Sequence, residues 1–403
     1  MGTLREDAKY LYTRAIEAVL PDEAVRRALD GQSFPGRVIL VAVGKAAWRM
    51  ASAAVSALGE RIDTGIVITK YGHVQGSISD IICREAGHPV PDENSFSAAR
   101  EALALTEDLA PDDTVLFLLS GGGSALFENP LVSGAELQDI TAQLLACGAD
   151  IVEINTIRKR LSAVKGGRFA QHCAPAHVFA VILSDIVGDA VDMIASGPVS
   201  PDSSTCADAL AVAEKYALRL SDTARGLLAQ ETPKTADNVT VRVTGSVREL
   251  CAAAAKVCRD LGYTPEILTD CEQGVAREVG ARENASCGTP RAFILGGETV
   301  VRLTGNGKGG RNQELALAAA AEIAGAENVV VFSVGSDGTD GPTDAAGGLA
   351  DGGTVERLAA AGKTVADVLQ NNDAYHALRD TGDLIITGPT GTNVNDFAAA
   401  LVR

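Results

Sequence analysis

The sequence predicts a two-domain α/β protein whose N-terminal domain is a Rossmann-like, mostly parallel sheet with helices on both faces. Three observations carry that expectation. Short apolar runs rich in branched residues alternate with alanine-rich helical patterns over the first half of the chain, the order that right-handed βαβ crossovers produce. The length of 403 residues exceeds what one hydrophobic core ordinarily serves. After residue 200 the texture changes, and a helical region with polar breaks leads into a second set of strands.

The opening stretch "MGTLREDAKYLYTRAIEAVL" mixes acids and bases along an amphipathic helix, unlike a signal peptide. "RVILVAVG" (37–44), "GIVITK" (65–70), "DDTVLFLLSGGG" (112–123) and "VFAVILSDIVGD" (178–189) read as buried strands, with helices such as "KAAWRMASAAVSALGE" between them. "CADALAVAEKYALRLSDTARGLLAQETPKTADN" then leads to strands at 239–245, 264–269, 291–305, 328–338 and 383–391. A boundary near residue 235 gives an N-terminal domain of 1–235 and a C-terminal α/β domain of 236–403. No internal repeat or low-complexity segment interrupts this order.

Composition narrows the function. With 46% hydrophobic residues the chain can bury sizeable cores, and its net charge of −17 argues against nucleic acid or an anionic membrane as partner. No run of 18 or more apolar residues occurs, so a cytoplasmic protein acting on small molecules is expected. The eight cysteines (Cys83, Cys147, Cys173, Cys206, Cys251, Cys258, Cys271, Cys287) are scattered without a C-x-x-C pair. They read as small buried hydrophobes in a reducing compartment, with no structural zinc.

Open parallel sheets bind ligands at the carboxyl ends of their strands. There "VLFLLSGGGSALFE" (115–128) places Gly121, Gly122 and Gly123 between Ser120 and Ser124, where a phosphate or carboxylate could approach the backbone. Lys45, in "VAVGKAA", adds a cation at the end of the first strand. "NTIRKRLSAVKGGR" (155–168) carries Arg158, Lys159, Arg160, Lys165 and Arg168 without an acid, either a solvated helix face or an anion site. "GNGKGGRNQE" supplies Lys308 and Arg311 among glycines just before a helix, which again suits an anion. The acidic loop "SVGSDGTDGPTDAAGGLAD" (333–351) holds Asp337, Asp340, Asp344 and Asp351, either as turn residues or as oxygen ligands for Mg²⁺. "LSDIVGD" (183–189) adds Asp185 and Asp189 as a further base or metal ligand.

Several long stretches, in order, resemble one family. "VAVGKAAWRMA", "EAGHPVPDENS", "LLSGGGSALFE", "INTIRKRLSAVKGGRFA", "SDIVGDAVDMIASGPVSPD", "GGETVVRLTGNGKGGRNQELALAAA", "SVGSDGTDGPTDAAGG" and "GPTGTNVND" are similar to the glycerate 2-kinases that carry a C-terminal MOFRL domain. The resemblance implies ATP- and Mg²⁺-dependent phosphorylation of the 2-hydroxyl of D-glycerate in a cleft between the two domains. It implies catalytic roles for Lys45, Asp189 and Arg311, and metal contacts for Asp337 and Asp340. Substrate or phosphate contacts are implied for Ser120, Gly121, Gly122, Gly123, Ser124, Arg158, Lys165, Lys308, Asn312, Thr392 and Asn393, with glycerate's carboxylate on Arg311 or Lys165. A monomer or homodimer is expected.

The residues agree on chemical grounds. ATP and glycerate together bring about four to five negative charges, and phosphoryl transfer depends on positioning and on neutralising them, so an acidic protein must concentrate cations locally. Some family members are labelled hydroxypyruvate reductases, which makes that activity the rival. Against it, "GKAAWRM" has one glycine where a dinucleotide fingerprint wants G-x-G-x-x-G, and the next strand ends in Lys70 rather than an acid, although a lysine would suit NADP. A non-catalytic sensor of phosphorylated metabolites would explain the anion loops but has no need of the acidic loop.

Overall fold

Uninterrupted branched and aromatic apolar runs such as Val38–Val43 and Thr114–Leu119 are buried at every position, as a parallel sheet covered on both faces requires. The computed structural model describes residues 2–184, 190–280 and 290–403, whose contacts gather into two units.

The first unit comprises Pro21–Ser184 and the chain up to Thr244. Its strands are β1 (Val38–Val43), β2 (Thr64–Lys70), β3 (Ile81–Ala86), β4 (Thr114–Leu119), β5 (His177–Leu183) and β6 (Val239–Gly245), in the order β3-β2-β1-β4-β5-β6. The pairs β1–β2, β1–β4, β2–β3 and β4–β5 are parallel. On one face Val38, Leu40 and Ala42 pack with Met50 and Ala54 of the helix Ala47–Leu58. Elsewhere Phe117, Phe127 and Phe169 form an aromatic cluster with centroids 5.1–5.9 Å apart. The chain leaves β1 for β2 on one side and later returns to β4 on the other. That reversal opens a crevice at the carboxyl ends of β1 and β4, the place where such sheets bind ligands.

The second unit holds the chain up to Leu20 and Gly245–Arg403. Its sheet contains β7 (Thr264–Glu272), β8 (Arg291–Gly297), β9 (Val329–Gly335), β10 (Gly347–Asp351), β11 (Leu384–Ile385) and β12 (Asp396–Val402), ordered β11-β10-β9-β12-β8-β7. Only β7–β8 is parallel. The opening helix Leu4–Glu17 is started by a Thr3–Glu6 capping box and belongs here. Its stripe Ala8, Leu11, Tyr12, Ala15 and Ile16 is buried, with Tyr12 edge-on to Phe332 at 5.6 Å. Division at residue 235 therefore misplaces two elements: this helix, and β6, which extends the first sheet beside β5.

The two-domain α/β expectation holds, but single elements differ. The strand expected over 291–305 stops at Gly297, whose φ of 156° brings it against the Glu272 backbone. That expected over 383–391 shrinks to Leu384–Ile385, with Gly388 and Gly391 at positive φ. Strands β3, β10 and β12 were not expected. "IICREA" carries charges because β3 is an edge, and "GGLAD" needs glycine because a Cβ on Gly347 would lie 1.9 Å from Ser333 O. "DFAAALV" has helical propensity, overridden by burial of every residue between β8 and β9. Among the described residues no helix is long and apolar enough to cross a membrane. The described cysteines are free thiols; Cys173, Cys251 and Cys258 are buried as expected, whereas Cys147 and Cys271 are exposed.

Candidate active site

At the crevice the loops after β1 and β4 are stitched together. Lys45 N donates to Gly121 O (2.9 Å), and Ser120 Oγ accepts from Ala46 N (3.1 Å) while donating to Val43 O (3.4 Å). Gly44, at φ +122°, leaves the space that Ser120 fills. Gly122 and Gly123 of the second loop are crowded by the protein itself. A Cβ on Gly122 would meet the His88 ring at 3.0 Å and the Lys45 stem at 3.4 Å, and one on Gly123 would meet Ala195 at 2.8 Å. Their N–H groups meet no backbone acceptor among the described residues, so they remain available to an anion. Ser124 Oγ lies 3.2 Å from Ser196 Oγ, which donates to Asn155 Oδ1 (2.7 Å). Ala195 and Ser196 sit at φ 51° and 62°, a strain of about 1–3 kcal/mol each that close packing on the glycine loop sustains. Lys45 is exposed and has no carboxylate partner among the described residues.

The basic block turns inward, so the solvated-face expectation for it needs correction, while Arg158 keeps Nε without a partner among the described residues. Lys165 is fully buried; its Nζ donates to Ser124 O and Phe127 O, each at 2.9 Å, and lies 3.5 Å from buried Glu128. Burial lowers the ammonium to about 8, with Glu128 pulling the other way. Arg158 donates to Ser124 O (2.8 Å) and lies 3.4 Å from Glu128. Lys159 and Arg160 pair with buried Asp202 at 3.1 and 3.4 Å, and Arg168 donates to Ser162 O (2.8 Å). Lys165 and Arg158 thus brace the glycine loop from behind, and the expected contact of Lys165 with a substrate carboxylate has no free donor to make it.

In the second unit Arg311 opens the helix Arg311–Glu322. It forms a two-pronged bond to Asp396, including Nη2–Oδ1 at 3.0 Å, and lies 3.1 Å from Glu298. Burial works against its charge, but Asp396 outweighs it and raises the guanidinium above its ordinary value. The anion position at this helix start is already filled: Asp340 accepts from Asn312 N (3.1 Å) and Gln313 N (2.9 Å). Desolvation raises the Asp340 carboxyl to about 6 against those two bonds. Asn312 is buried, donating to Asp340 and accepting from Ser333 Oγ (2.6 Å). Asp337 Oδ1 accepts from Thr339 N (2.9 Å) as a turn residue, Asp344 accepts from Tyr375 OH (2.6 Å), and Asp351 pairs with Arg5 and Arg357. Lys308 Nζ lies over the Tyr375 ring at 4.5 Å. Thr392 is buried and donates to Val19 O (3.0 Å), while Asn393 is exposed. A cavity of about 890 Å³ opens beside Arg311, walled by Val300, Val301, Leu303, Glu298, Asn306 and Pro342.

Among the described residues no three His, Cys, Asp or Glu side chains gather as a metal cage. Asp340 has both oxygens committed, and Asp185 and Asp189 lie outside the described residues. Sequence reasoning also missed His88, against the glycine loop; the quoted "EAGHPVPDENS" contains it, but unrecognised β3 concealed its position at a strand end.

The fold defines a two-part α/β protein whose parallel sheet reverses at the carboxyl ends of β1 and β4, the place where such sheets bind ligands. The family described as "Domain of unknown function (DUF4147)" matches residues 7–229, and the MOFRL family matches residues 291–396. The chain is 52% identical to the D-glycerate 2-kinase of Thermotoga maritima over 99% of both chains, and 39% identical to the glycerate 2-kinase of Pyrococcus horikoshii over 99% of this chain and 97% of that one. An Agrobacterium vitis protein named provisionally as a hydroxypyruvate reductase is 39% identical over 99% of this chain and 94% of its own. The solved Thermotoga maritima glycerate kinase matches at a TM-score of 0.95 and 50% identity, covering 99% of each chain. The chain belongs to the glycerate 2-kinase family that carries a C-terminal MOFRL domain.

Proposed function

We propose that the protein transfers the γ-phosphoryl group of ATP to the 2-hydroxyl of D-glycerate, giving 2-phospho-D-glycerate and ADP. The observation that carries this reading is Lys45, without a carboxylate partner among the described residues, stitched to the open backbone of Gly121–Gly123 at the reversal of the parallel sheet. Likeness to the Thermotoga maritima enzyme over the whole chain supplies the substrate. Catalysis of this kind rests on positioning and on charge stabilisation. Lys45 is assigned the charge on the transferring phosphoryl or attacking oxygen, and the Gly121–Gly123 N–H groups, with Ser124, an anionic group of the substrates.

In the second unit Arg311 keeps N–H donors beyond those given to Asp396 and Glu298, and is proposed as an anion-holding group there. The described residues do not form a Mg²⁺ site by themselves. Mg²⁺ carried by nucleotide phosphates needs only one or two protein carboxylates and would neutralise phosphate charge. Asp337 is the described candidate for that contact, and Asp189 a candidate from the sequence alone. A cytoplasmic monomer or homodimer is part of the same reading.

The test compares two reactions. With ATP, Mg²⁺ and D-glycerate the protein should release ADP, and with hydroxypyruvate and NADH or NADPH the nicotinamide absorbance should stay flat. Nicotinamide oxidation without ADP formation would replace the kinase with the reductase, whose dinucleotide fingerprint is missing after β1.

A further inference from the structure

Beyond β3 the chain is pinned by one carboxylate. Asp92 accepts from Gly87 N (3.1 Å), from Tyr71 OH (2.6 Å) and from Ser95 N (3.0 Å), where it caps the helix Glu93–Leu105. Asn94 Nδ2 holds the same Tyr71 hydroxyl at 2.8 Å. The residue so fixed is His88, half-buried, with the ring edge carrying Nε2 3.1 Å from where a Gly122 Cβ would stand. The Lys45 stem occupies the neighbouring side of that space.

His73, His172 and His376 each give a ring nitrogen to a protein oxygen. Neither nitrogen of His88 does so among the described residues. A partly buried imidazole that the fold holds in place and leaves without a partner has hydrogen-bonding capacity for a ligand. Its charged surroundings say which ligand. Lys45 after β1 and Lys70 and His73 at the end of β2 act on the ring, while Glu85 is tied to Val74 N (3.0 Å) and Asp92 to Gly87. Burial first, then the Lys45 and Lys70 ammonium groups, lower the His88 titration below its ordinary 6.5, so the ring is neutral near neutral pH. Cations beside a neutral acceptor match a 2-hydroxy acid, which offers a carboxylate and a hydroxyl on adjacent carbons.

We propose that His88 accepts the proton of the attacking hydroxyl, an inference that rests on the glycerate kinase reading above. The hydroxyl oxygen forms its bond to the γ-phosphorus as the bond from that phosphorus to the bridging oxygen breaks, and ADP leaves with those electrons. The hydroxyl proton passes to His88 Nε2, with the other ring nitrogen bearing hydrogen beforehand, and then to solvent. In a loose transition state the proton moves late, once bonding to phosphorus has made it acidic, so a base of low affinity suffices.

His88→Asn and His88→Ala in the full chain, with thermal melts to check folding, test the role. At saturating ATP, Mg²⁺ and D-glycerate, kcat should fall by about a hundredfold or more while KM for ATP stays within about twofold. Wild-type kcat should decline as pH drops through the His88 titration, and His88→Asn should lack that limb; added imidazole should restore part of the His88→Ala rate. A folded His88→Asn enzyme within about threefold of wild-type turnover, or one that keeps the acid limb, would overturn the proposal. So would a raised KM for D-glycerate at unchanged kcat, which would make His88 a binding group only. Wild-type protein releasing no ADP from D-glycerate would instead sink the kinase reading itself.

Discussion

Replacing Lys165 with methionine removes a fully buried ammonium that bonds two carbonyls and a carboxylate behind the glycine loop. Methionine is similar in length, so the cost is polar rather than a cavity. Ser124 O keeps Arg158 at 2.8 Å, which leaves Phe127 O as the carbonyl without a donor, worth about 1–3 kcal/mol. Glu128 keeps Arg158 at 3.4 Å, but its Oε1 already lacks a partner. Breaking a buried pair costs about 3–5 kcal/mol, and the remaining Arg158 puts this case near about 3 kcal/mol. Denaturant unfolding should therefore show a lower midpoint at unchanged slope, partly recovered in a Lys165→Met, Glu128→Leu double variant. Because burial lowers Lys165 from 10.5 to about 8, the unfolded chain binds the extra proton between those values. Wild-type stability relative to Lys165→Met should then rise with pH across that window. In kinetics kcat should fall, as the loop loses its support, with little change in KM for D-glycerate. A loss below about 1 kcal/mol together with a large rise in that KM would show that the ammonium faces substrate and refute the buried-brace reasoning.

Lys45→Ala should lower kcat by about two to three decades without shifting the thermal midpoint, and a variant retaining more than about half of wild-type turnover would remove Lys45 from the chemistry. Asp340→Asn should cost about 1–3 kcal/mol, because one helix N–H loses its acceptor, and should leave the Mg²⁺ dependence of the rate unchanged; an altered Mg²⁺ requirement would return Asp340 to the metal. As the folded Asp340 carboxyl titrates near about 6 rather than 3.8, it makes wild-type stability fall as pH rises between those values, a slope that Asp340→Asn should lack in pH-dependent unfolding. Asp337→Asn should change stability by less than about 0.5 kcal/mol yet raise the Mg²⁺ needed for half-maximal rate; unaltered dependence would leave Asp337 as a turn residue.

Local patterns were legible where local physics decides. Lys45 and Ser120–Ser124 stand at strand ends because buried apolar runs stop there, and β1 and β4 lie where those runs predict. The basic block shows the limit: spacing reports its charge but not its direction, and Asp202, which draws Lys159 and Arg160 inward, comes from 42 residues beyond Arg160. Asp340 caps the start of the helix from 28 residues beyond Asn312, so no local signal announced that the anion position was filled. Strand β12 reads as helix until the strands on either side of it are known. His88 escaped notice because a charged edge strand hid the end on which it sits.

ATP, Mg²⁺ and D-glycerate incubated with the protein and enolase, with phosphoglycerate mutase absent, report directly where the phosphate is placed. Phosphoenolpyruvate should appear in step with ADP, since enolase accepts only the 2-phosphate. ADP accumulating while phosphoenolpyruvate waits for added mutase would put the phosphate on the 3-hydroxyl and contradict the proposed transfer.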